Sequence, residues 1–363
     1  MKIVNDYKKF QEYKESADKS LFPWIKESVD KVLKEKTPIL KKYKILKYSF
    51  LGISILWLFI SLMIIIFSKN ENSLIVSLIF LLLFVLTIGI SAVMFYIYNK
   101  KKYDVYGLIR SNIDRLSLYQ HAFTELDKGI KYVGYVQQDK LEKTINLYKN
   151  CEILSAKELD VFKSSKIPYD AYFNRILDEH YLLINDYPAK LYVVEYEKET
   201  KNSKGEITRS YHYSGFIKLD TTYLKEKAFE FTLLDGKFSR KKSIETENDN
   251  FNKTFNLVSP DPIKARMMYT PLSMELSLKR YYDKEGTKLS GLKIHSNAAL
   301  IRFTFNIDSN FMELSFPAFL SSEEKLSKHI YKDVLLDTYT ILHIIINIYT
   351  NLFRLKITRL SYF

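Results

Sequence analysis

Two uncharged apolar runs, residues 49–67 and 74–98, lie six residues apart and are 19 and 25 residues long. No other feature limits the fold as much. At ~1.5 Å of rise per residue, a helix over the first is roughly 28 Å long, close to the ~30 Å hydrocarbon core of a bilayer. The second is longer, with room to tilt or to set Tyr96 and Tyr98 in the interface. The link between them, 68–73, is short enough to force an antiparallel hairpin. A pair of buried core helices is the alternative, but so long an apolar stretch is hard to cover in a soluble fold. A cleaved signal peptide fits worse, because a charged segment precedes the first run and a second span follows it.

Charge sets the orientation. The net charge is +13, and its excess flanks the apolar runs. Lys41, Lys42, Lys44 and Lys47 precede the first run, Lys100, Lys101 and Lys102 follow the second, and the link carries only Lys69. The positive-inside rule then places both termini in the cytoplasm and the link outside, as a multi-pass protein of the cell membrane. The remaining sequence is nearly balanced, so no basic face marks a nucleic-acid binder. Neither run holds Asp, Glu, Lys, Arg or His, so they read as an anchor and not as an ion path. The abundance of Lys over Arg, with 28 Tyr and 24 Phe, fits an A/T-rich bacterial genome. A single cysteine, Cys151, excludes an intramolecular disulfide and any CxxC site.

Outside the runs, hydrophobic spacing gives the elements. In 1–48, Phe10, Tyr13, Ala17, Leu21, Ile25, Val29 and Val32 recur every three or four residues, predicting amphipathic helices broken at Pro23 and Pro38. In 99–130, Val105, Ile109, Ile113, Leu116, Tyr119, Phe123, Leu126 and Ile130 predict a juxtamembrane helix that packs on the first as a stalk, the alternative being that each packs separately on the distal domain. The rest, 131–363, is expected to be a cytoplasmic α+β domain, soluble by itself from about residue 130. From about residue 190 the period is two, through Leu191 and Val193, through Phe229, Phe231 and Leu233, and through Ile301, Phe303 and Phe305. Residues 197–208 read as an exposed loop, and Met312, Leu314 and Phe316 as the second arm of a hairpin turning at 308–310. Thr304 should then face away from the core. Asp261-Pro262 and Thr270-Pro271 are helix starts. Residues 323–353 predict a long helix on the sheet, with an interfacial helix or a third span as the alternatives, and with Asp333, Asp337, Thr340, Asn347 and Asn351 as its polar stripe and Leu336, Tyr339, Leu342, Ile346, Tyr349 and Phe353 among its apolar positions. The expected fold is thus α+β: a two-helix transmembrane hairpin with flanking cytoplasmic helices, and a mainly antiparallel-sheet domain closed by a long C-terminal helix.

Several stretches resemble the bacterial membrane proteins of domain-of-unknown-function family 3137. They are Tyr132-Val133-Gly134-Tyr135-Val136, the strand LYVVE at 191–195, Gly215-Phe216-Ile217, and FNKTFNLVSPD at 251–261. Ala265-Arg266 and Thr270-Pro271 with Met274 follow. The family's "ARY-x-L-T-P" is altered here, with Met267 in place of its Tyr and Tyr269 in place of its Leu. The resemblance covers about 130–320. It implies a membrane location and this order of elements, and no reaction.

Chemistry is sparse. P-loop, GxGxxG, HExxH and GxSxG motifs are missing, and no cofactor is implied. His329, Asp333 and Asp337 fall at i, i+4 and i+8, a weak candidate for metal ligation against the plainer reading of a solvated stripe. His121 and Glu125 read as a surface pair, Asp178-Glu179-His180 as sequence neighbours that need not face each other, and His212 and His295 as strand residues. Arg266 could meet an anion at a helix start or pair structurally. The lipid bilayer is one expected partner. Three functional readings follow: a membrane-tethered binding or scaffold module for a protein partner, a membrane-associated enzyme acting on lipid or an envelope precursor, and an accessory subunit of a transporter.

Overall fold

The computed structural model describes residues 7–67, 71–134, 146–227, 229–236, 243–297, 299–317 and 323–355. Tyr135, Val136, the link at 68–70 and the side chains of Tyr349, Asn351 and Phe353 lie outside the described residues. The chain is mixed helix and antiparallel sheet with two long apolar helices. It forms two compact units: Phe22–Asp114 with Phe316–Ile330, and Met1–Leu21 with Arg115–Ser315 and Tyr331–Phe363.

The first unit is built on α1 (Phe10–Phe67) from Phe22 onward and on α2 (Glu71–Asn112). The expected break at the prolines does not occur, and α1 runs through both. Pro23 and Pro38 are exposed, as are Lys19 and Lys34, four residues before them. The carbonyls that lose a donor therefore sit on the wet face, where water replaces it. The separate juxtamembrane helix is also corrected. Helix α2 continues from the apolar run to Asn112, and a new helix, α3 (Arg115–Leu126), starts in the other unit. Ile130 opens a strand. Both α1 and α2 are long and apolar enough to cross a membrane.

Their contact is a heptad seam. Leu33, Leu40, Lys47, Ser54 and Ser61 are buried at intervals of seven, and so are Ser77, Ser91, Tyr98 and Val105 at multiples of seven. A seven-residue repeat on a 3.6-residue helix gives a left-handed supercoil. The stalk packing is the outer part of this seam, where a groove of about 250 Å³ is lined by Lys36, Ile39 and Leu40 from α1 and Lys101, Asp104, Val105 and Leu108 from α2.

The second unit holds an eight-stranded antiparallel sheet ordered β1-β2-β3-β4-β8-β7-β5-β6. The strands are β1 (Ile130–Gly134), β2 (Tyr172–Ile184), β3 (Tyr187–Lys201), β4 (Ile207–Asp220), β5 (Glu230–Asp235), β6 (Phe255–Val258), β7 (Ser290–Asn297) and β8 (Leu300–Asn306). Strand β2 escapes the periodicity because Asp178 and His180 occupy two of its inward positions beside Leu182 and Ile184. Asn185 and Asp186, both at positive φ, make the two-residue turn into β3. The expected loop at 197–208 is instead mostly strand: β3 and β4 extend as a ribbon, with the turn at 202–206 held by the Asn202 side chain, which accepts from the N–H of Lys204 and Glu206.

Shorter helices follow: α4 (Ala156–Val161), α5 (Asp249–Thr254), α6 (Pro262–Met268) and α7 (Pro271–Tyr282), then the long α8 (Glu323–Leu355). Asp261 and Thr270 cap α6 and α7 as expected, each with proline at the first helical position. The expected hairpin at 308–316 does not form. β8 already pairs with β4 on one edge and β7 on the other, leaving no edge for another strand.

Thr304 is a further correction. Both faces of β8 are covered, so Thr304 is as buried as Phe303, and its hydroxyl finds no partner. Thr304→Val keeps the branched shape and removes the orphaned oxygen. It is expected to stabilise the unit by about 1 kcal/mol, raising the melting temperature by about 2 °C in a thermal melt. A fall would mean that the hydroxyl is satisfied in solution.

Candidate functional site

The two long apolar helices carry many of the exposed large hydrophobic side chains among the described residues. Within 49–67 only Ser54 and Ser61 are buried, and within 74–98 only Ser77, Ser91 and Tyr98 are buried among the described side chains. Most of the large apolar side chains point outward, among them Leu56, Phe59, Ile66, Leu82 and Val85. Small residues let the helices approach, and their hydroxyls bond across the seam. Ser61 and Ser77 hydroxyls lie 2.9 Å apart, and Ser91 donates to the Lys47 carbonyl at 3.1 Å. Bonds of this kind are worth about 1 kcal/mol each in lipid. The serine spacing was visible in the sequence as a signal of the seam, masked by the apolar residues around it.

The basic flank is not uniform. Lys41, Lys42, Lys44, Lys100 and Lys101 are exposed, whereas Lys47 and Lys102 are buried. The Lys47 ammonium lies 4.1 Å from the Tyr98 ring centroid, 4.3 Å from Phe95 and 4.8 Å from Tyr48. Lys102 lies 4.7 Å from the Tyr103 centroid. These are cation–π contacts at the end of the apolar surface, where aromatic rings and lysine stems both suit the interface.

The proposed metal ligands on α8 do not come together. His329 is exposed, Asp333 is half-buried 3.7 Å from the Lys288 ammonium, and Asp337 is fully buried. The polar stripe is therefore not solvated: every described side chain from Asp337 to Ile348 is buried. Asp337 accepts from the Tyr119 hydroxyl at 3.0 Å and from the Met312 N–H at 2.9 Å. Burial, reinforced by Asp333, pushes its carboxyl well above the usual range. Met312 is held at positive φ, so the acid pins a left-handed turn. Among the described residues, no three His, Cys, Asp or Glu side chains are grouped to hold a metal ion.

Asp178 and His180 do face each other, because residues two apart share a strand face. His180 Nε2 is 3.3 Å from Asp178 Oδ2, which is 2.7 Å from Arg115 on α3. The Tyr132 hydroxyl is 2.9 Å from His180 Nδ1. Burial pushes the imidazole down to about 4, against the pull of Asp178. A neutral ring fits this setting, with Nε2–H toward the carboxylate and Nδ1 accepting from tyrosine. The network ties α3 to β1 and β2, with His180 fully buried and Arg115 partly exposed.

A row of cations crosses the sheet. Lys190 on β3 is the direct partner of Lys218 on β4, and Lys218 of Arg302 on β8. Like charges in direct register repel. Carboxylates separate them: Glu152 and Glu179 meet Lys190 at 2.8 Å, and Glu158 meets Lys218 at 3.0 Å and Arg302 at 3.1 Å. Burial alone would raise the Glu158 carboxyl, but hydrogen bonds from Lys218 and Arg302 hold it below the usual range. Leu159 packs with Tyr192, Tyr196 and Phe216 over the same face. The ion pairs thus seat the 148–162 segment on the sheet.

The other residues singled out are structural. His121 and Glu125 form a partly exposed pair at 3.8 Å, and His295 bonds the Thr232 hydroxyl at 3.0 Å. His212 is half-buried beside Ser210, and the exposed Arg266 donates to the Glu245 carbonyl at 3.1 Å. No family model matches the chain, and no curated protein and no solved structure matches it either.

Proposed function

We propose that this chain is a membrane-anchored binding or scaffold module, held in the bilayer by the α1–α2 hairpin, with its sheet-bearing unit in the cytoplasm engaging a protein partner at the inner membrane surface. The observation that carries this reading is the hairpin itself. Its inward seam is serine and its outward surface is hydrocarbon, which suits an anchor and offers no path for charge. The lysine flanks against the single Lys69 support the orientation. The resemblance to family 3137 supports the same layout and rests on the residues quoted for it. Among the described residues, the strongly raised carboxylate outside the spans, Asp337, is sealed by Tyr119 and Met312, which favours binding over catalysis.

Thiol labelling tests the topology. Cys151 is a poor reporter: it is fully buried, its thiol donates to the Pro188 carbonyl, and burial pushes it up to about 12. Asn70→Cys in the link and Lys204→Cys at the ribbon turn serve instead. An impermeant maleimide should label Asn70→Cys in intact cells and Lys204→Cys only after permeabilisation. The opposite pattern would place the sheet outside. Cross-linking of the tagged full-length chain in intact cells should then yield a discrete protein adduct. Adducts with lipid alone would remove the scaffold reading and leave the anchor.

A further inference from the structure

Among the described residues, the edges at β1, β6 and the outer side of β2 are blunted. Strand β1 is five residues long, and β6 is four. The Ile244 N–H bonds the Leu257 carbonyl of β6, covering that edge. The outer edge of β2 before its pairing with β1 is interrupted by two irregularities, between Phe173 and Arg175 and between Ile176 and Asp178. Bulges, short strands and covering segments are the usual protections against unwanted strand pairing.

The outer side of β4 over 207–213 has none of these. Strand β4 pairs with β8 only over 214–220, while 207–213 continue against β3 without a register shift. Among the described residues, the outer side of 207–213 meets no strand. Its sequence, ITRSYHY, is rich in β-branched and aromatic residues, contains no proline, and is exposed from Ile207 to Tyr211.

We infer that this edge is where two copies of the chain associate, by antiparallel pairing of their β4 strands about a twofold axis at Ser210. Centring on Ser210 uses all seven residues. Ile207 then faces the partner's Tyr213, Thr208 faces the partner's His212, and Arg209 faces the partner's Tyr211. Each is a favourable cross-strand combination, β-branched on aromatic or arginine on tyrosine, and no like charges oppose. The pairing is isologous, so it closes on a dimer and does not propagate. Seven residues bury less than a standard-size interface. Confinement in a membrane raises the local concentration that such a contact needs. In that respect alone the inference rests on the anchorage proposed above.

The register predicts a disulfide. In the dimer the two Ser210 side chains are about 5 Å apart, whereas Lys198, opposite Ser210 on β3, lies three strand spacings from its copy, about 14 Å. The full-length chain is expressed with Ser210→Cys, Lys198→Cys or Lys204→Cys, and its membranes are mildly oxidised. Ser210→Cys should give a dimer on non-reducing gels at least ten-fold more efficiently than the other two. Adding Tyr211→Arg sets Arg209 against an arginine twice over and should abolish that dimer, while maleimide still labels the thiol equally. Dimers of equal yield at all three positions would overturn the pairing, as would none at 210. An adduct of Ser210→Cys to a different protein would also overturn it, assigning the edge to another strand donor. Loss of anchorage would show separately, as chain released by a carbonate wash.

Discussion

A fragment of residues 130–363 is expected to be recovered as aggregate, and Tyr13→Ala is expected to destabilise the sheet-bearing unit of the intact chain by about 3–5 kcal/mol. The reason is that this unit is discontinuous in sequence and includes Met1–Leu21 and α3. Tyr7, Tyr13, Ala17 and Leu21 are buried, as are Leu118, Tyr119, Ala122, Phe123 and Leu126. The Tyr13 hydroxyl donates to the Ala122 carbonyl at 3.1 Å and lies 2.8 Å from the Thr338 hydroxyl. Its ring stacks on Tyr339, and Phe10 meets the same ring edge-on. In return, Tyr331 and Tyr339 donate to the carbonyls of Lys14 and Lys8. A fragment starting at 130 would expose this side of α8 to water. The expectation that 130–363 stands alone, drawn from its strands and its lack of a span, is therefore reversed. Joining residues 7–21 by a flexible linker to 115–363 should restore a monomer. A monomeric 130–363 with a cooperative melt would show that the N-terminal helix is dispensable.

Asp337 governs the second large effect, which depends on pH. Asp337→Leu leaves the Tyr119 hydroxyl and the Met312 N–H buried without an acceptor, at a cost of about 2–5 kcal/mol. Asp337→Asn keeps an acceptor for both and changes only the proton balance. The folded carboxyl is raised, so it holds a proton that the unfolded chain releases above about pH 4. This group therefore loses stability as pH rises. His180 and His343 work the other way. Burial pushes them down to about 4 and about 3, with Arg280 and Lys284 adding to the effect at His343. The unfolded chain protonates both below about pH 6.5 and the folded chain does not, so stability falls with acid. Between about pH 4.5 and 6 the two imidazoles favour the unfolded chain on acidification, and the raised Asp337 carboxyl offsets part of that in the native sequence but not in the Asn variant. The variant should thus lose more stability than the native sequence on acidification across this range, while gaining stability near pH 7. Chemical denaturation across this range in detergent micelles would measure both slopes. Parallel slopes would mean that Asp337 is ionised in the folded protein.

Most of what was legible from the residues came from long, uninterrupted patterns. The two apolar runs defined the hairpin because hydrocarbon tolerates no charge over some twenty residues, and that condition is visible without a partner. The caps at Asp261 and Thr270 were equally local: an oxygen-bearing side chain followed by proline fits one position of a helix. Strands with apolar inward positions, such as that around Ile301 and Phe303, announced themselves by alternation. Strand β2 did not, because its inward Asp178 and His180 become core residues only when Arg115 and Tyr132 arrive from distant parts of the chain.

The same distinction divides the remaining features. By itself the sequence determined the two long apolar helices, the lysines that flank them and the mixed helix-and-sheet character of the rest, since each depends on runs and periods within one segment. Tertiary structure alone decided that α1 survives two prolines, that residues 7–21 belong with a sheet more than a hundred residues away in sequence, and that Asp337 is core. It also decided that Lys190, Lys218 and Arg302 stand side by side, and that β8 meets β4 only over 214–220. Each of those depends on which groups meet across long sequence separations, where the burial gained on contact outweighs local preference and no short pattern records the partner.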